Sequence, residues 1–462
     1  MELADIHKAV VVGLGISGMA VVRFLRGRGI EVAVSEYRPF AALAGEEQAM
    51  IRDLEYETGG HSEEFVLQGD CIITSPGVPL DLSVLQAAGR AGIPIVGELA
   101  LAAGMLSVPV IGVTGSNGKT TVTSLIGAIL RSCGYSPFVG GNIGNPLLSA
   151  LSGTVDYDVL VLELSSFQLD LSGEFKPDIG LLLNLTPDHL DRHGTMEAYV
   201  QAKMRMFRHQ GPQDYAILCG DDPLVMQQAD NILASVATFG HGEQHQARIV
   251  GDEIYVDLPG RGTGRFSLSS TALNSPVNRL NAAAAILTVT CLGAKERCVD
   301  DGLQAFVPVE HRMTRVAEIR GVVFINDSKA TNVGAMAAAL KSCPPGVVLI
   351  AGGRDKQGDF RDLWELVGAK VAHMLCIGEA AGMLEEVFGD LTRVERIADM
   401  QMAVTRGAVL AKPGQTVLLA PGCASFDMFS DYKERGRVFT AAVHALMDME
   451  NTETTENTEK SI

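Results

Sequence analysis

The chain has 462 residues and a formal net charge of −18, with 47% hydrophobic and 20% charged residues. This length suggests about three domains, and the composition is that of an ordinary globular protein. The acidic balance shows no basic face for nucleic acid or for an anionic membrane, so neither is expected as a partner. An anionic small molecule remains compatible, because a pocket can be locally basic in an acidic protein.

Eight cysteines are spread along the chain, and none forms a Cys-x-x-Cys pair. A structural zinc site is therefore not expected. The scatter predicts buried, reduced thiols and a cytoplasmic protein. No run of about 20 apolar residues occurs, which predicts no membrane insertion. Glycines interrupt the apolar start of the chain, so we interpret it as strand, turn and helix rather than as a signal peptide.

The first block of the chain has the pattern of a βαβ unit. A short apolar run ends in the glycine-rich residues 13–18, a helix-period segment follows, and residues 30–34 form a second apolar run. Another predicted strand covers residues 71–74. Glu36 lies near the end of the second strand, where an acid contacts a ribose hydroxyl in dinucleotide-binding folds. This block therefore predicts a nucleotide site.

The rest of the chain repeats the alternation of strands and helices, which predicts an α/β fold with doubly wound sheets. A small hairpin layer is expected at 248–268 and an Ala-rich helix near Asn281. Strands are predicted at 109–113, 158–164, 179–184, 322–326, 347–351, 373–377 and 416–420.

Three domains are expected from this pattern. They are a Rossmann-like N-terminal domain (1–97), a central P-loop ATPase-type domain with a mostly parallel sheet (98–308) and a Rossmann-like C-terminal domain (309–450). The polar, acidic residues 451–462 predict a disordered tail.

The strongest local motif is Gly-Val-Thr-Gly-Ser-Asn-Gly-Lys-Thr-Thr at residues 112–121, between an apolar run and a helical segment. Its glycines let backbone N–H groups surround phosphate oxygens, Lys119 supplies a cation, and Thr120 offers a hydroxyl to Mg²⁺. Glu163 ends a later strand and is a candidate metal ligand, with a solvated edge carboxylate as the alternative.

Two further residues are ambiguous when only residue type and position are considered. His189 follows a strand and an acid, so it could ligate a metal, although a lone histidine is more often structural. Lys203 lies in a helical segment, where a lysine is usually a solvated surface residue.

Taken in order, these motifs resemble the Mur ligase family of peptidoglycan synthesis. The resemblance covers the chain to about residue 445, and it is closest to those members that add D-glutamate to UDP-N-acetylmuramoyl-L-alanine. Phe426 departs from the pattern, which has Leu there. The family motifs are residues 112–121, 163–166, 184–193, 278–281, 311–312 and 326–332, and the closer likeness lies in residues 13–18, 75–77, 140–144, 162–168 and 421–427.

The resemblance implies a cytoplasmic, monomeric, ATP-dependent amide-bond ligase that forms an acyl phosphate and uses two Mg²⁺ ions. It implies that UDP-substrate contacts come from Gly15, Ser17, Glu36, Arg38, Ser75, Gly77 and Asn142. It assigns ATP to Gly115, Asn117, Gly118, Lys119, Thr120, Thr121, Asn281, Arg312 and Asp327. The metal ligands would be Thr120, Glu163, His189 and a carbamylated Lys203, and the catalytic residues Lys119, Glu163, His189 and Lys203. D-Glutamate would be held by Lys329, Thr331, Lys356, Ser425 and Tyr432.

Three alternatives stay open from the sequence. The chain could be a sister ligase for L-alanine, a diamino acid or a dipeptide, or a relative of folylpolyglutamate synthetase. The first glycine-rich turn also suits a nicotinamide-dependent dehydrogenase, although that interpretation leaves residues 112–121 unexplained. A non-catalytic nucleotide-binding regulator is the third alternative.

Overall fold

The computed structural model describes residues 3–153, 155–308, 311–356 and 358–459. These residues form three β-sheets with flanking helices, and the chain divides into two compact units. The first unit holds the residues up to 185, 197–271 and 279–306, and the second holds 186–196, 272–278 and the residues from 307 onward. None of the helices in the described ranges is long and apolar enough to cross a membrane.

The N-terminal sheet contains five parallel strands in the order β3-β2-β1-β4-β5. Its central strand β1 is an apolar run with four of five residues buried, as expected for a parallel strand covered on both faces. Val12 at its end pairs with Ser35 and with Thr74, so three strands end at one edge. The strands are β1 (Lys8–Val12), β2 (Glu31–Glu36), β3 (Glu55–Thr58), β4 (Cys71–Thr74) and β5 (Ile95–Val96).

The central sheet has nine strands in the order β14-β13-β12-β11-β10-β9-β6-β8-β7. The pairs from β7 to β12 are parallel, whereas β12, β13 and β14 form an antiparallel layer where the sequence predicted hairpins. Strand β6 lies between β8 and β9, so the loop that follows β6 has a neighbouring strand end on each side. The strands are β6 (Val110–Thr114), β7 (Pro137–Gly141), β8 (Val159–Glu163), β9 (Ile179–Leu182), β10 (Tyr215–Cys219), β11 (Ser235–Gly240), β12 (Ala247–Val250), β13 (Glu253–Leu258) and β14 (Gly262–Ser267).

The described residues up to Ala305 include thirteen α-helices, of which α1 and α6, for example, bury apolar residues along one face. They are α1 (Ile16–Arg26), α2 (Gly45–Ile51), α3 (Glu63–Val66), α4 (Ser83–Arg90), α5 (Glu98–Ala102), α6 (Lys119–Ser132), α7 (Leu147–Ser152), α8 (Ser166–Asp170), α9 (Leu190–His193), α10 (Met196–Met204), α11 (Pro223–Met226), α12 (Pro276–Cys291) and α13 (Glu296–Ala305).

The third sheet has six strands in the order β15-β16-β20-β17-β18-β19. Only β15 is antiparallel to its neighbour; the other pairs are parallel. The strands are β15 (Thr314–Ile319), β16 (Val322–Asn326), β17 (Val347–Gly352), β18 (Val371–Ile377), β19 (Arg393–Arg396) and β20 (Thr416–Leu419). The helices are α14 (Val333–Lys341), α15 (Trp364–Lys370), α16 (Ala381–Phe388), α17 (Met400–Leu410) and α18 (Tyr432–Glu459).

Three expectations from the sequence differ from the structure. Helix α12 begins at Pro276 rather than near Asn281. Residues 451–459 continue α18, where a disordered tail was predicted, and 460–462 lie outside the described residues. An established helix extends at low cost because each added residue gains one hydrogen bond without a new nucleation step. Six cysteines are buried free thiols as predicted, but Cys133 and Cys298 form a disulfide.

Candidate active site

The glycine-rich loop between β6 and α6 has the backbone shape of a phosphate-binding loop. Gly115 and Gly118 adopt φ values of 149° and 87°, which favour glycine. A Cβ on Gly118 would approach Asn281 Oδ1 to 2.6 Å, so Asn281 packs directly on the loop. Lys119 and Thr120 open α6, and the N-terminus of a helix favours anions.

Two lysine side chains meet at this loop, the half-buried Lys119 and the buried Lys203. Lys119 Nζ donates to the carbonyl oxygens of Gly115 at 2.7 Å and Ser116 at 2.8 Å. Lys203 Nζ donates to the same Gly115 oxygen at 2.9 Å. Both lysine side chains therefore lie within hydrogen-bond distance of one loop carbonyl, and the Lys119 ammonium favours an anionic ligand there.

Asn184 clamps the loop from the end of the neighbouring strand. Its Oδ1 accepts the N–H of Asn117 at 2.8 Å, and its Nδ2 donates to the Asn117 carbonyl at 3.0 Å. Its own carbonyl accepts the N–H of Ser116 at 3.0 Å. The motif containing Asn184 was noted in the sequence, but its direct grip on the loop was not predicted.

Lys203 is not the solvated surface residue that its helical position alone suggests. Its relative exposure is 1%, and its ammonium lies 4.5 Å from the centre of the Tyr199 ring. Tyr199 Oη is 3.1 Å from Ser116 Oγ. A buried ammonium is costly unless it has partners, and the loop carbonyl and the ring provide them. Lys203 is therefore a buried residue of the phosphate-loop region, and its carbamylation stays a prediction.

Glu163 lies at the end of β8 with 2% exposure. Its Oε1 accepts Asn142 Nδ2 at 2.8 Å, while its Oε2 is buried and has no hydrogen-bond partner within the described ranges. An unpaired buried carboxylate oxygen is costly, and a hard cation such as Mg²⁺ prefers such an oxygen ligand. Glu163 therefore fits the predicted metal role.

The described residues contain no group of three or more His, Cys, Asp or Glu side chains arranged for a metal. A divalent ion at Glu163 therefore needs other oxygens, from a hydroxyl, a triphosphate or a carbamate. Thr120 and Thr121 supply buried hydroxyls in the first turn of α6.

A second site in the same unit is a cavity of about 470 Å³ at the ends of β1, β2 and β4. Leu14, Gly141, Gly144 and Gln168 also line it and were not predicted. The structure brings together all the residues predicted for the UDP substrate: the cavity is lined by Gly15, Ser17, Glu36, Arg38, Ser75, Gly77 and Asn142.

The Glu36 carboxylate holds the first glycine-rich turn through hydrogen bonds. Its Oε2 accepts the N–H of Leu14 at 2.6 Å, and its Oε1 accepts Nε of Arg38 at 2.9 Å. Burial alone raises the pKa of this carboxyl, but the Arg38 guanidinium and the backbone N–H groups of Arg38 and Leu14 outweigh it, so its pKa lies below the ordinary value. Arg38 also pairs with Glu47 at 3.0 Å.

Asn142 connects the cavity with the candidate metal ligand. Its side chain lines the cavity and donates to Glu163, and its N–H donates to the Glu163 carbonyl at 2.8 Å. A Cβ at Gly141 would lie 2.4 Å from that carbonyl, so glycine is required for this approach. The cavity is therefore bordered by the residue that holds the Glu163 carboxylate.

In the second unit, Asp188 joins three predicted residues or motif positions. It is buried and accepts Asn332 Nδ2 at 2.9 Å and Lys356 Nζ at 3.4 Å. His189 Nε2 lies 3.6 Å from the same carboxylate. His189 has a left-handed backbone with φ 55°, which turns the chain into α9. Asp188 was missed as a site residue, although its position beside His189 was a usable signal.

Asp327 is buried at the end of β16, near two cationic residues. Burial raises the pKa of its carboxyl to about 6, while the charges of Arg312 and Lys329 and the N–H of Met313 act in the opposite direction. The Met313 N–H donates to Asp327 Oδ1 at 3.2 Å. The predicted ATP residues Arg312 and Asp327 therefore lie together in this unit.

The predicted D-glutamate residues are held by a side chain that the sequence did not reveal. Arg435 is fully buried and donates to the Ser328 carbonyl at 2.7 Å and the Cys423 carbonyl at 3.1 Å. Burial lowers its pKa to about 10. It thus ties the loop before Lys329 to the segment before Ser425.

The residues predicted to bind D-glutamate fall into two groups. Lys329 Nζ lies 5.2 Å from the centre of the Tyr432 ring, and the Thr331 N–H donates to the Lys329 carbonyl at 2.9 Å. Lys356 instead neighbours Asp188. Arg354 and Ala424 pair through their backbones. Lys356 is two residues after Arg354, and Ser425 directly follows Ala424, so the pairing brings the two chain segments together.

Family models match the chain in three consecutive segments. The Mur ligase MurD-like N-terminal domain matches residues 7–97, the Mur ligase middle domain 113–289, and the Mur ligase glutamate ligase domain 311–423. The chain therefore belongs to the Mur ligase family, which confirms the resemblance seen in its motifs.

Curated relatives with high identity share the name of one enzyme within the Mur ligase family. A protein of Desulfotalea psychrophila named UDP-N-acetylmuramoylalanine--D-glutamate ligase is 45% identical over 95% of this chain and 96% of its own length. A protein of the same name from Geotalea uraniireducens is 40% identical over 97% and 99%.

Solved structures agree on the α/β fold with three domains. The UDP-N-acetylmuramate-alanine ligase MurC of Thermotoga maritima matches with a TM-score of 0.57 and 19% identity, covering 95% of this chain and 99% of that one. The MurF ligase of the same organism, in complex with ADP, matches with a TM-score of 0.58 and 19% identity, covering 90% and 95%. The predicted fold class is therefore confirmed.

Proposed function

We propose that this chain uses ATP to join D-glutamate to UDP-N-acetylmuramoyl-L-alanine through an acyl phosphate. The names of its full-length relatives at 40–45% identity support this substrate pair. One structural observation carries the chemistry: Asn142 links a nucleotide-sized cavity to the buried Glu163, whose unpartnered oxygen suits a metal ion.

The cavity in the first unit would hold the UDP part of the substrate. The turns at Gly15 and Gly77 let the ligand approach the backbone closely, and Ser17 and Ser75 offer hydroxyls. Glu36 keeps the Leu14 N–H occupied and thereby fixes the shape of the turn. The other end of the substrate, the alanyl carboxylate, would then lie towards Asn142 and Glu163.

In the first step an oxygen of the alanyl carboxylate attacks the γ-phosphorus of ATP. The new O–P bond forms as the bond to the β–γ bridging oxygen breaks, and ADP leaves with the electron pair. Lys119 would reorient from the loop carbonyls onto the β- and γ-phosphates and offset the repulsion between the two anions. Thr120, Glu163 and a carbamylated Lys203 in the first unit would hold Mg²⁺, which would supply positive charge to the phosphate oxygens.

In the second step the D-glutamate amine, after losing a proton, attacks the acyl carbon, and inorganic phosphate leaves. The second unit offers the cations Lys329 and Lys356 for two carboxylates. Thr331, Ser425 and Tyr432 add hydroxyl groups for orientation. A dicarboxylic amino acid fits this set better than alanine, because alanine has only one carboxylate for the two cations.

The carbamate on Lys203 has its own test. Lys203→Ala should lose most activity and regain part of it when a short carboxylic acid replaces the missing anion. Lys203→Arg is the matched control, because it fills the space without being able to carry a carbamate. Full wild-type activity after removal of CO₂ and bicarbonate would rule the carbamate out.

The function is tested by phosphate release from ATP with purified protein and Mg²⁺. We expect release only when UDP-N-acetylmuramoyl-L-alanine and D-glutamate are both present, in a reducing buffer at neutral pH such as a cytoplasmic enzyme would meet. The active protein should elute as a monomer in size-exclusion chromatography. L-Alanine, a diamino acid, a dipeptide and L-glutamate form the comparison panel. Preference for another acceptor would identify a sister ligase, a nicotinamide absorbance change would identify a dehydrogenase, and no release with any acceptor would identify a regulator.

A further inference from the structure

The eight cysteines divide into two chemically different groups. Six are buried, and desolvation raises their thiol pKa values: Cys343 to about 11 and Cys71 and Cys376 to about 12, for example. Cys133 and Cys298 are only half-buried and are bonded to each other, with Cα atoms 4.9 Å apart. Since the thiolate is the reactive form, exchange chemistry is confined to this pair.

The bonded pair joins the helix that starts at the phosphate loop to the helix packed along it. Cys133 directly follows α6, and Cys298 is in the first turn of α13. Gly302 brings α13 close to α6, since a Cβ there would lie 2.6 Å from the Ile129 Cα. The bridge joins two cysteines that are 165 residues apart in the sequence.

The packing connects this bridge to the nucleotide end of α6. Only the residues between Cys291 and Glu296 separate α12 from α13. Helix α12 carries Asn281, which packs on Gly118 at the start of α6. The α12–α13 segment therefore contacts α6 at its phosphate end through Asn281 and at its far end through the disulfide.

We propose that Cys133 and Cys298 are a reversible thiol–disulfide modification site that fastens the phosphate-loop helix and adjusts nucleotide affinity. In the reducing direction, a thiolate of an external dithiol attacks Cys133 Sγ and displaces the Cys298 thiolate. Cys298 lies in the first turn of α13, and the N-terminus of a helix favours its thiolate as the leaving group.

The second thiol of the reductant then releases Cys133 from the mixed disulfide. Two electrons pass from the dithiol to the two protein sulfurs, and its two protons end on Cys133 and Cys298. The reductant leaves as its own disulfide. The reverse reaction takes the two electrons and two protons to an external disulfide and restores the bridge.

The bond is tested by digestion under non-reducing conditions and mass spectrometry of protein equilibrated in mixtures of reduced and oxidised dithiothreitol. We expect a cross-linked peptide containing Cys133 and Cys298 that disappears with a single midpoint. Alkylation of the reduced, native protein should label these two residues and spare the six buried thiols. Absence of the cross-link under every oxidising mixture would overturn the proposal.

The consequence is tested on the same two redox states by calorimetry and ADP titration. Reduction should lower the melting temperature by about 5 °C or more, because a long loop is released in the unfolded chain. It should weaken ADP binding two- to fivefold. The Cys133→Ser, Cys298→Ser double variant is the matched control, and it should behave as reduced protein in both buffers. Equal melting temperatures, equal ADP affinities, or a redox response in the double variant would each contradict the proposal.

Discussion

Residues 13–18 after β1 and residues 115–119 after β6 are both glycine-rich turns that lead from a buried strand into a helix. Their surroundings carry opposite charges. The first turn is held by the carboxylate of Glu36, which accepts a loop N–H. The second is flanked by Lys119 and Lys203, which both donate to the Gly115 carbonyl. The same backbone plan thus serves a site for holding a substrate and a site for transferring a phosphoryl group.

The difference lies in which backbone groups are already satisfied. At the first turn the Glu36 carboxylate already accepts the Leu14 N–H. An anionic ligand therefore cannot use this N–H and must bind to neighbouring groups of the cavity. At the second turn the loop N–H groups of Ser116 and Asn117 donate to the backbone and side-chain oxygens of Asn184, which carry no formal charge. The Lys119 ammonium beside the second turn favours a triphosphate. Sequence motifs alone therefore underdetermine what a glycine-rich turn binds.

The largest effect is expected for Lys119→Ala. Removing a preorganised cation from a phosphoryl-transfer site commonly costs about 10²–10³ in rate. Phosphate release should fall by that factor, while binding of the UDP substrate, measured by calorimetry, should stay within about twofold because the cavity is untouched. ATP turnover close to that of the wild type would contradict the assignment of phosphoryl transfer to the second turn.

Glu163→Gln tests the unpartnered oxygen. The amide keeps the shape and a hydrogen-bond acceptor for Asn142, but removes the charge that a metal requires. The Mg²⁺ concentration for half-maximal activity should rise by about 10- to 100-fold. Asn142→Ala is the matched control, since it leaves the carboxylate in place and should affect substrate binding more than Mg²⁺ dependence. An unchanged Mg²⁺ requirement in Glu163→Gln would argue against a metal role.

Glu36→Gln should affect the first turn alone. Loss of charged hydrogen bonds to Leu14 and Arg38 is expected to raise KM for the UDP substrate by about tenfold, equivalent to about 1.4 kcal/mol. The kcat value should change by less than about twofold, because phosphoryl transfer occurs at the other turn. Steady-state kinetics with each substrate varied separately would show this, and a fall in kcat alone would contradict it.

The smallest effect concerns stability against pH at the same carboxyl. Because the pKa of Glu36 lies below its ordinary value of 4.5, its ionised form stabilises the folded state above that value. This contribution is lost as pH falls from 4.5 through the lower folded pKa. Urea unfolding of wild type and Glu36→Gln should therefore differ more at pH 7 than at pH 3. A difference that grows towards acid would reverse the assigned sign.

Periodic features of the sequence predicted much of this fold. The strands at Cys71–Thr74 and Val322–Asn326 have the predicted bounds, because long-range context changes little in short apolar runs ended by turns. The antiparallel layer was also predicted from its alternation. The acidic tail was not, because composition does not register that residues 451–459 extend an anchored helix.

The candidate site was predictable where motif and neighbours lie close in sequence. All the residues assigned to the UDP substrate line one cavity. Features that depend on distant packing were missed: the buried Arg435 that ties Ser328 to Cys423, and the disulfide between Cys133 and Cys298. Neither residue type nor spacing reveals such pairings, because they depend on which elements become neighbours after folding.

The central claim is that the loop at Lys119 passes the γ-phosphoryl group to a carboxylate before the amide bond forms. It is tested most directly with UDP-N-acetylmuramoyl-L-alanine carrying ¹⁸O in both oxygens of the alanyl carboxylate. After one turnover with ATP, Mg²⁺ and D-glutamate, mass spectrometry should find one ¹⁸O in the released phosphate and one in the new amide carbonyl. Released phosphate free of ¹⁸O would contradict the acyl phosphate and the account built on it.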